Sequence, residues 1–146
     1  MAVRYYDQHV RSGLKDKRKL SAFLQSLIQD KRTDVKKLDL TYIFCNDDYL
    51  LEINKEFLNH NTLTDIITFD MSEDPETLEG EIYVSIDRVK ENAGKFEASY
   101  NQELHRVIFH GALHLCGFKD KKTEDKEIMR KQEDMCLAHY FETGNE

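Results

Sequence analysis

The amino-acid sequence predicts an α/β (α+β) fold, in which a small mixed sheet of three to four strands is packed by about five helices. Segments with the period of a half-buried strand alternate with segments that place apolar residues on one helical face. Two predicted strands are separated by an acidic loop, residues 71–79 around Pro75, which favours a hairpin-like pair and hence a mixed sheet. The 146 residues, 40% of them hydrophobic, suffice for one domain spanning residues 1–146.

The first half of the chain contains predicted elements in the order strand, helix, strand, helix. Residues 2–6 are predicted to form a short edge strand. The next helix is indicated by apolar residues at the spacing of one face, namely Leu20, Phe23, Leu24, Leu27 and Ile28. Residues 38–44 alternate in polarity like a half-buried strand. Asn46 is a good N-cap for the following helix, and residues 59–61 are predicted to form a loop.

The second half adds two strands and three helices. Residues 64–69 and 81–86 are rich in β-branched and aromatic residues, which indicates strands. Asp87 is predicted to cap the next helix. Ser99, with a glutamine three residues later, forms a capping box for the helix that carries two histidines. Thr123 is predicted to cap the last helix.

Charge and composition favour an intracellular protein without a membrane segment. The net charge is −7, yet the stretch from Arg11 to Lys19 holds five basic residues and one acid. That stretch is either a solvated helix entry or a contact for RNA phosphates. Three cysteines without a C-x-x-C pair, and the lack of a long apolar run, favour the cytoplasm and no membrane contact.

His110 and His114 are the residues around which the predicted function is built. In a helix, residues four apart lie on one face with Cβ atoms about 6 Å apart, so both imidazoles can bind one metal ion. Gly117 can end this helix in the left-handed conformation, and Asp120 can then return a carboxylate to the same ion. Two imidazoles and one carboxylate leave a fourth tetrahedral position for water, which is typical of a catalytic zinc site.

The H-x-x-x-H spacing alone leaves a second interpretation open. A histidine on an apolar helical face is often a core residue with a hydrogen-bond partner, and aspartates often follow helices. Gly111 stands where the H-E-x-x-H motif of metalloproteases carries its general base, which excludes that motif. Because glycine inside a helix costs about 1 kcal/mol relative to alanine, Gly111 indicates either close approach of a substrate or tight packing of helix on sheet.

The histidine segment resembles the signature H-G-x-L-H-L-x-G-[YF]-D-H of the YbeY family, the bacterial metal-dependent endoribonucleases of ribosomal RNA maturation. The matching residues are 110–118, HGALHLCGF. Three more segments are similar in order and spacing to the family motifs L-N-x-x-[YF], T-D-V-L-S-F and G-D-I-x, namely residues 53–57, 64–69 and 80–83. Met129 and Glu133 also stand where the last helix of the family carries such residues. The resemblance extends over roughly residues 38–138.

The resemblance implies a zinc-dependent endoribonuclease that acts on single-stranded RNA, with ribosomal RNA or the ribosomal particle as its partner. The chain departs from the family at two positions. Asp120 stands where the family has its third histidine ligand, and its negative charge would make the bound water a weaker acid and admit another divalent metal. Leu58 stands where the family has an arginine thought to face substrate phosphate. His60, Lys119 and Lys121 are candidates for the missing cation by their proximity in sequence.

The mechanism implied by these residues is metal-assisted hydrolysis of an RNA phosphodiester. An ion held by His110, His114 and Asp120 would lower the pKa of a bound water towards ~7 and polarise a phosphoryl oxygen. No general base is identified, although Asp65 and Glu81 lie at strand positions that could reach the site or could serve only the sheet. Two alternatives remain: a non-catalytic ribosome-assembly factor with a structural metal, and a hydrolase of a small molecule.

Overall fold

The computed structural model describes residues 1–58 and 64–144, which form one four-stranded sheet and five helices. The elements in chain order are β1 (Ala2–Asp7), α1 (Lys17–Lys31), β2 (Lys37–Cys45), α2 (Asp47–Leu58), β3 (Ile66–Asp70), β4 (Thr77–Ser85), α3 (Ile86–Lys95), α4 (Tyr100–Leu115) and α5 (Thr123–Gly144). The predicted fold class is therefore confirmed. Within these described ranges, no helix combines the length and apolar character that a membrane crossing requires. The predicted loop at 59–61 lies outside the described residues.

The sheet is mixed, with strand order β1-β2-β4-β3. β1 pairs with β2 and β2 with β4 in parallel, whereas β3 pairs antiparallel with β4, with Ile66 opposite Val84. The predicted edge strand and hairpin-like pair are both confirmed. The predicted loop at residues 71–79 is too long, because β4 already begins at Thr77.

Side-chain caps fix several helix starts where the sequence predicts them. The Asn46 amide oxygen accepts a hydrogen bond from the Tyr49 backbone at 2.8 Å, and the Ser99 hydroxyl accepts one from the Gln102 backbone at 3.0 Å. Each bond satisfies an N–H group that the first turn of a helix leaves without an intrahelical partner. The predicted last helix is present, but it begins at Thr123 itself, so Thr123 is its first helical residue and not the predicted cap.

The predicted cap at Asp87 is wrong. α3 begins one residue earlier, at Ile86, and its N-cap is Ser85, whose hydroxyl accepts from the Arg88 backbone at 3.3 Å. The Asp87 carboxylate instead accepts from the backbone N–H of Asp47 at 2.9 Å, in the first turn of α2. The Asp87 carboxylate, which the sequence predicts to cap its own helix, thus links α3 to α2.

α4 is the central helix of the core. Most of its residues are buried, and it packs on the sheet through β3 and β4. The buried Tyr42 hydroxyl on β2 donates a 2.8 Å hydrogen bond to the carbonyl oxygen of Ile108. This bond joins the middle of the sheet to the turn of α4 that precedes His110, so the helix is fixed both by apolar packing and by a buried polar contact.

Gly111 allows α4 to lie close to the sheet. A Cβ atom added there would stand 2.9 Å from Cγ2 of Ile82 on β4 and 3.0 Å from Cδ1 of Ile66 on β3. Real Cβ atoms essentially never approach another atom as closely as 2.9 Å, and Ile82 is itself fully buried. Of the two explanations that the sequence leaves open for this glycine, the structure supports tight packing between helix and sheet.

Alanine substitution at two helical glycines should therefore have opposite effects. Gly94→Ala in α3 meets no atom within 4 Å, so it should raise the free energy of unfolding by up to about 1 kcal/mol. Gly111→Ala gains the same helix propensity but overpacks the core at a cost of about 1–3 kcal/mol, so it should lower stability. Urea unfolding of both variants tests this, and an equal gain at both positions would contradict the packing explanation.

His105 is a core histidine of α4 rather than a ligand. Its ring is 3% exposed and lies among aromatic side chains, stacked on Tyr140 at 5.1 Å between centroids. Nδ1 lies 2.7 Å from the Asn101 carbonyl oxygen, so Nδ1 carries a proton and donates it. Nε2 is buried and has no hydrogen-bond partner within the part of the chain that the structure describes. Burial, the largest cause, lowers the pKa of this imidazole below its ordinary value.

The lowered pKa makes His105 a source of acid sensitivity. The unfolded chain takes up this proton below about pH 6.5 whereas the folded chain resists it, so stability falls as the pH drops from 7 towards 5. His105→Phe removes the titration and the unpaired nitrogen and should match or exceed the wild-type stability at pH 5. Denaturation at several pH values tests this. A wild-type advantage that persists or grows on acidification would refute it.

Candidate active site

His110 and His114 project from the last turns of α4. Their rings lie parallel within 4°, with centroids 6.5 Å apart. The helix ends at Leu115, and Gly117 follows with φ +104°, a left-handed conformation that lets the chain reverse. The backbone N–H of Gly117 donates to the His114 carbonyl oxygen at 3.0 Å. The turn after Gly117 carries Asp120 back to the end of the helix, as the sequence predicts.

The His110 imidazole is held at both nitrogens by carboxylates. Nδ1 lies 2.7 Å from Oε2 of Glu133 on α5, and Nε2 lies 3.1 Å from Oδ2 of Asp120. Burial lowers the pKa of His110, but the hydrogen bond that its Nδ1–H donates to Glu133 and the charges of Glu133, Asp120 and Asp65 together raise it above its ordinary value. The structure thus brings His110 and Asp120 together, and it adds a partner that the sequence does not assign.

Glu133 is itself anchored by Arg106. This carboxylate is 5% exposed, and its Oε1 accepts from Nη1 of Arg106 at 3.1 Å. Nη2 of the same guanidinium donates to Asp134 at 2.7 Å. Arg106 lies one helical turn before His110, so both contact the same part of α5. The four-residue spacing of Arg106 and His110 on one face of α4 is the feature of the sequence that indicates a shared partner, although it does not identify Glu133 as that partner.

The residues present fit a divalent metal ion by their chemistry. A histidine whose Nδ1 donates to a carboxylate has its Nε2 oriented for metal binding, which is a common support for metal-ligating histidines. His110 has this support, and His114 and Asp120 complete a donor set of two imidazoles and one carboxylate. As placed, no three His, Cys, Asp or Glu side chains within residues 1–58 and 64–144 form a group that could already hold a metal. Binding would therefore require these side chains to move closer together.

The two carboxylates considered as general bases lie on different sides of the sheet. Asp65 precedes β3 beside the histidines, and burial, as the largest cause, raises its pKa while the charge of His110 opposes that shift. Glu81 alternates with Gly80 and Ile82, which face α4, and it accepts a 3.3 Å hydrogen bond from Tyr83 on the opposite face. Glu81 is therefore remote from the histidines, and Asp65 remains the candidate of the two.

Two clefts meet at His110 and Asp120, which border both. The first, the β3 arm, has a volume of about 480 Å³ and is lined by residues that include Leu58, Thr64, Ile66, Thr68, His114 and Lys121. The second, the α5 arm, has a volume of about 500 Å³ and is lined by residues that include Asp65, Phe96, Arg106, Lys126, Arg130 and Glu133. All three predicted metal ligands therefore border the β3 arm.

Cleft volume alone does not identify the site. A groove between α1 and α5 reaches about 560 Å³, but it is mainly apolar and contains none of the three predicted ligands. We base the site on the grouping of imidazoles and carboxylates instead.

The cations predicted to replace the family arginine have different positions. Lys121 lines the β3 arm together with Leu58, whose residue surface is 41% exposed. Lys119 is exposed and is not among the lining residues of either arm. His60 lies outside the described residues. Of the two candidates that lie within the described residues, Lys121 is thus the one at the site.

Comparison with known proteins gives concordant results. A family model described as Endoribonuclease YbeY matches residues 6–141. Curated proteins named Endoribonuclease YbeY from Cytophaga hutchinsonii and Parabacteroides distasonis are 43% and 40% identical to this chain, covering 92% and 94% of it and 92% and 95% of their own lengths. The fold is similar to the solution structure of TM1509 from Thermotoga maritima, with a TM-score of 0.63, 25% identity, and coverage of 99% of this chain and 92% of that one.

Proposed function

The chain belongs to the YbeY family of endoribonucleases, and on that basis we propose that it is a zinc-dependent endoribonuclease of single-stranded RNA. Its proposed role is ribosomal RNA maturation and ribosome quality control in the cytoplasm. The observation that carries the proposal is the placement of His110 between Glu133 and Asp120, at the edge of a cleft that His114 also borders. A cleft open to solvent at this point gives a flexible RNA strand access to these side chains.

We propose that His110, His114 and Asp120 hold one divalent ion, with zinc expected and another metal admissible. The chemistry that such an ion supplies is Lewis acidity towards a phosphoryl oxygen and towards a water molecule. The carboxylate of Glu133 accepts the Nδ1 proton of His110, and Nε2, which lies 3.1 Å from Oδ2 of Asp120, would bind the ion once it has lost its own proton. Asp65 is the carboxylate that we propose accepts the proton of the attacking water, because its raised pKa suits a proton acceptor better than an ordinary aspartate would.

Removal of one proposed ligand should abolish both metal binding and RNA cleavage. His114→Ala leaves the fold intact, because this side chain is exposed, and should lower the cleavage of a single-stranded RNA about a hundredfold or more. The matched control is His9→Asn, an exposed histidine that lines neither arm and whose φ of +57° asparagine tolerates. Elemental analysis and a cleavage assay measure the two effects. Cleavage that persists in metal-stripped His114→Ala would refute the mechanism.

Glu133 should contribute to metal affinity without contacting the metal. Glu133→Gln weakens the hold on Nδ1 of His110, so zinc affinity should fall about 10–100-fold in a competition titration with a chelating dye. Asp134→Asn is the matched control, because Asp134 contacts the same Arg106 but not His110. Its affinity should stay within about twofold of wild type. Equal losses in both variants would mean that the effect comes from Arg106 and not from the histidine.

A second candidate function is a ribosome-assembly factor with a mainly structural metal. The observation that favours it is Leu58, an apolar residue in the β3 arm where the family has an arginine. This function predicts that metal removal lowers the melting temperature more than the RNA affinity. It also predicts no cleavage at stoichiometric amounts of protein, which is the opposite of what the enzyme would give.

A further inference from the structure

The α5 arm continues the groove on the far side of the candidate site. His110 and Asp120 border both arms, so the two clefts meet at these residues. An endonuclease cuts an internal bond, so its substrate must leave the reaction point in both directions. The β3 arm provides one of these directions. The α5 arm provides the other, and its Phe96, Lys126 and Arg130 lie outside the family motifs that the sequence matches.

Phe96 presents an aromatic surface at the rim of the α5 arm. It follows the last residue of α3, and half of its surface, 50%, is exposed. The guanidinium carbon of Arg130 lies 5.6 Å from the centroid of its ring. An exposed aromatic ring beside a cation is the combination with which proteins stack a base and bind the adjacent phosphate of a single strand.

Lys126 and Arg130 of the α5 arm are exposed to solvent, whereas Glu133 and Glu103 are buried beside Arg106. Lys126 and Arg130 lie four residues apart on one face of α5, and both are exposed. The Arg130 side chain is 51% exposed and stands 3.8 Å from Glu133. Glu133 and Glu103 are buried and lie within ion-pair distance of Arg106, which offsets part of their negative charge.

We propose that the α5 arm is an RNA-binding subsite, in which Phe96 stacks on a base beside the cleavage point while Arg130 and Lys126 bind flanking phosphates. This inference rests on the proposed function, because it takes the bond between the two arms as the one that is cut. It also supplies a cationic contact that Leu58 does not provide in the β3 arm. The subsite selects unpaired strands, since a base is free to stack only when it is not paired.

The test measures binding without chemistry. A fluorescein-labelled single-stranded RNA of about ten nucleotides is titrated in EDTA with wild type, Phe96→Ala, Arg130→Gln and Lys126→Gln, and anisotropy gives the dissociation constants. Phe96→Ala should weaken binding by about fivefold to a hundredfold with an unchanged salt dependence. Each loss of a cation should reduce the slope of log affinity against log salt concentration by about 0.7.

Matched controls separate the subsite from general surface effects. Tyr6→Ala removes an aromatic side chain of comparable exposure, 55%, from edge strand β1. Lys36→Gln removes a cation that is paired with Glu76 at 3.5 Å and lines neither arm. Both controls should bind RNA as wild type does. An RNA with abasic residues should bind wild type and Phe96→Ala equally, because it has no base to stack.

The outcomes distinguish this inference from the proposed function. If Phe96→Ala and Lys126→Gln bind RNA as tightly as the wild type does, and the protein cleaves RNA, the proposed subsite is wrong. The proposed enzyme function is then unaffected. Lost affinity in these variants, in a protein that never cleaves RNA with any divalent metal, supports the subsite and overturns the enzyme. Thermal unfolding at wild-type temperature confirms that the variants are folded, as the exposure of these side chains leads us to expect.

Discussion

The hydrogen bond between Glu133 and Nδ1 of His110 is the interaction on which the site depends. It joins α5 to α4 at 2.7 Å, and Arg106 prevents the buried carboxylate from standing as an unpaired charge. With Nδ1 committed as a donor, Nε2 is directed to Asp120 in the turn after the helix. The two contacts thus fix the ring orientation of His110 and join α5 and the turn after α4 to the same imidazole.

The packing of α4 on the sheet holds His110 in the position that this hydrogen bond requires. α4 lies against the sheet with Gly111 between Ile82 and Ile66, and the Tyr42 hydroxyl binds the Ile108 carbonyl just before His110. A helix held in this way cannot slide or rotate without creating overpacking or a buried unpaired hydroxyl. The packing of α4 on the core therefore fixes the backbone positions of both histidines. The exposed side chain of His114 can still change its conformation, as ligand binding requires.

Local chemistry could be predicted from the sequence, and long-range chemistry could not. The caps at Asn46 and Ser99 and the reversal at Gly117 each depend on neighbours a few residues away, and all three are confirmed. Asp87 was assigned to the wrong helix because its partner lies 40 residues away in sequence. The role of Glu133 depends on how α5 packs on α4, which no local period encodes. Similarly, Glu81 could be excluded only once the strand register showed which face α4 covers.

The charge around His110 explains why cations should flank it. Asp65, Asp120 and Glu133 all act on this imidazole, so the site without a bound ion is rich in carboxylates, and the chain as a whole carries a net charge of −7. Such a site repels a phosphodiester unless nearby positive charges outweigh it over the distance of a Debye length, about 8–10 Å. Asp120, which stands where the family has a neutral histidine, adds one more negative charge and so increases the need for nearby positive charges. Local cations such as Lys121 in one arm, and Lys126 and Arg130 in the other, are therefore what a strand of RNA needs in order to approach.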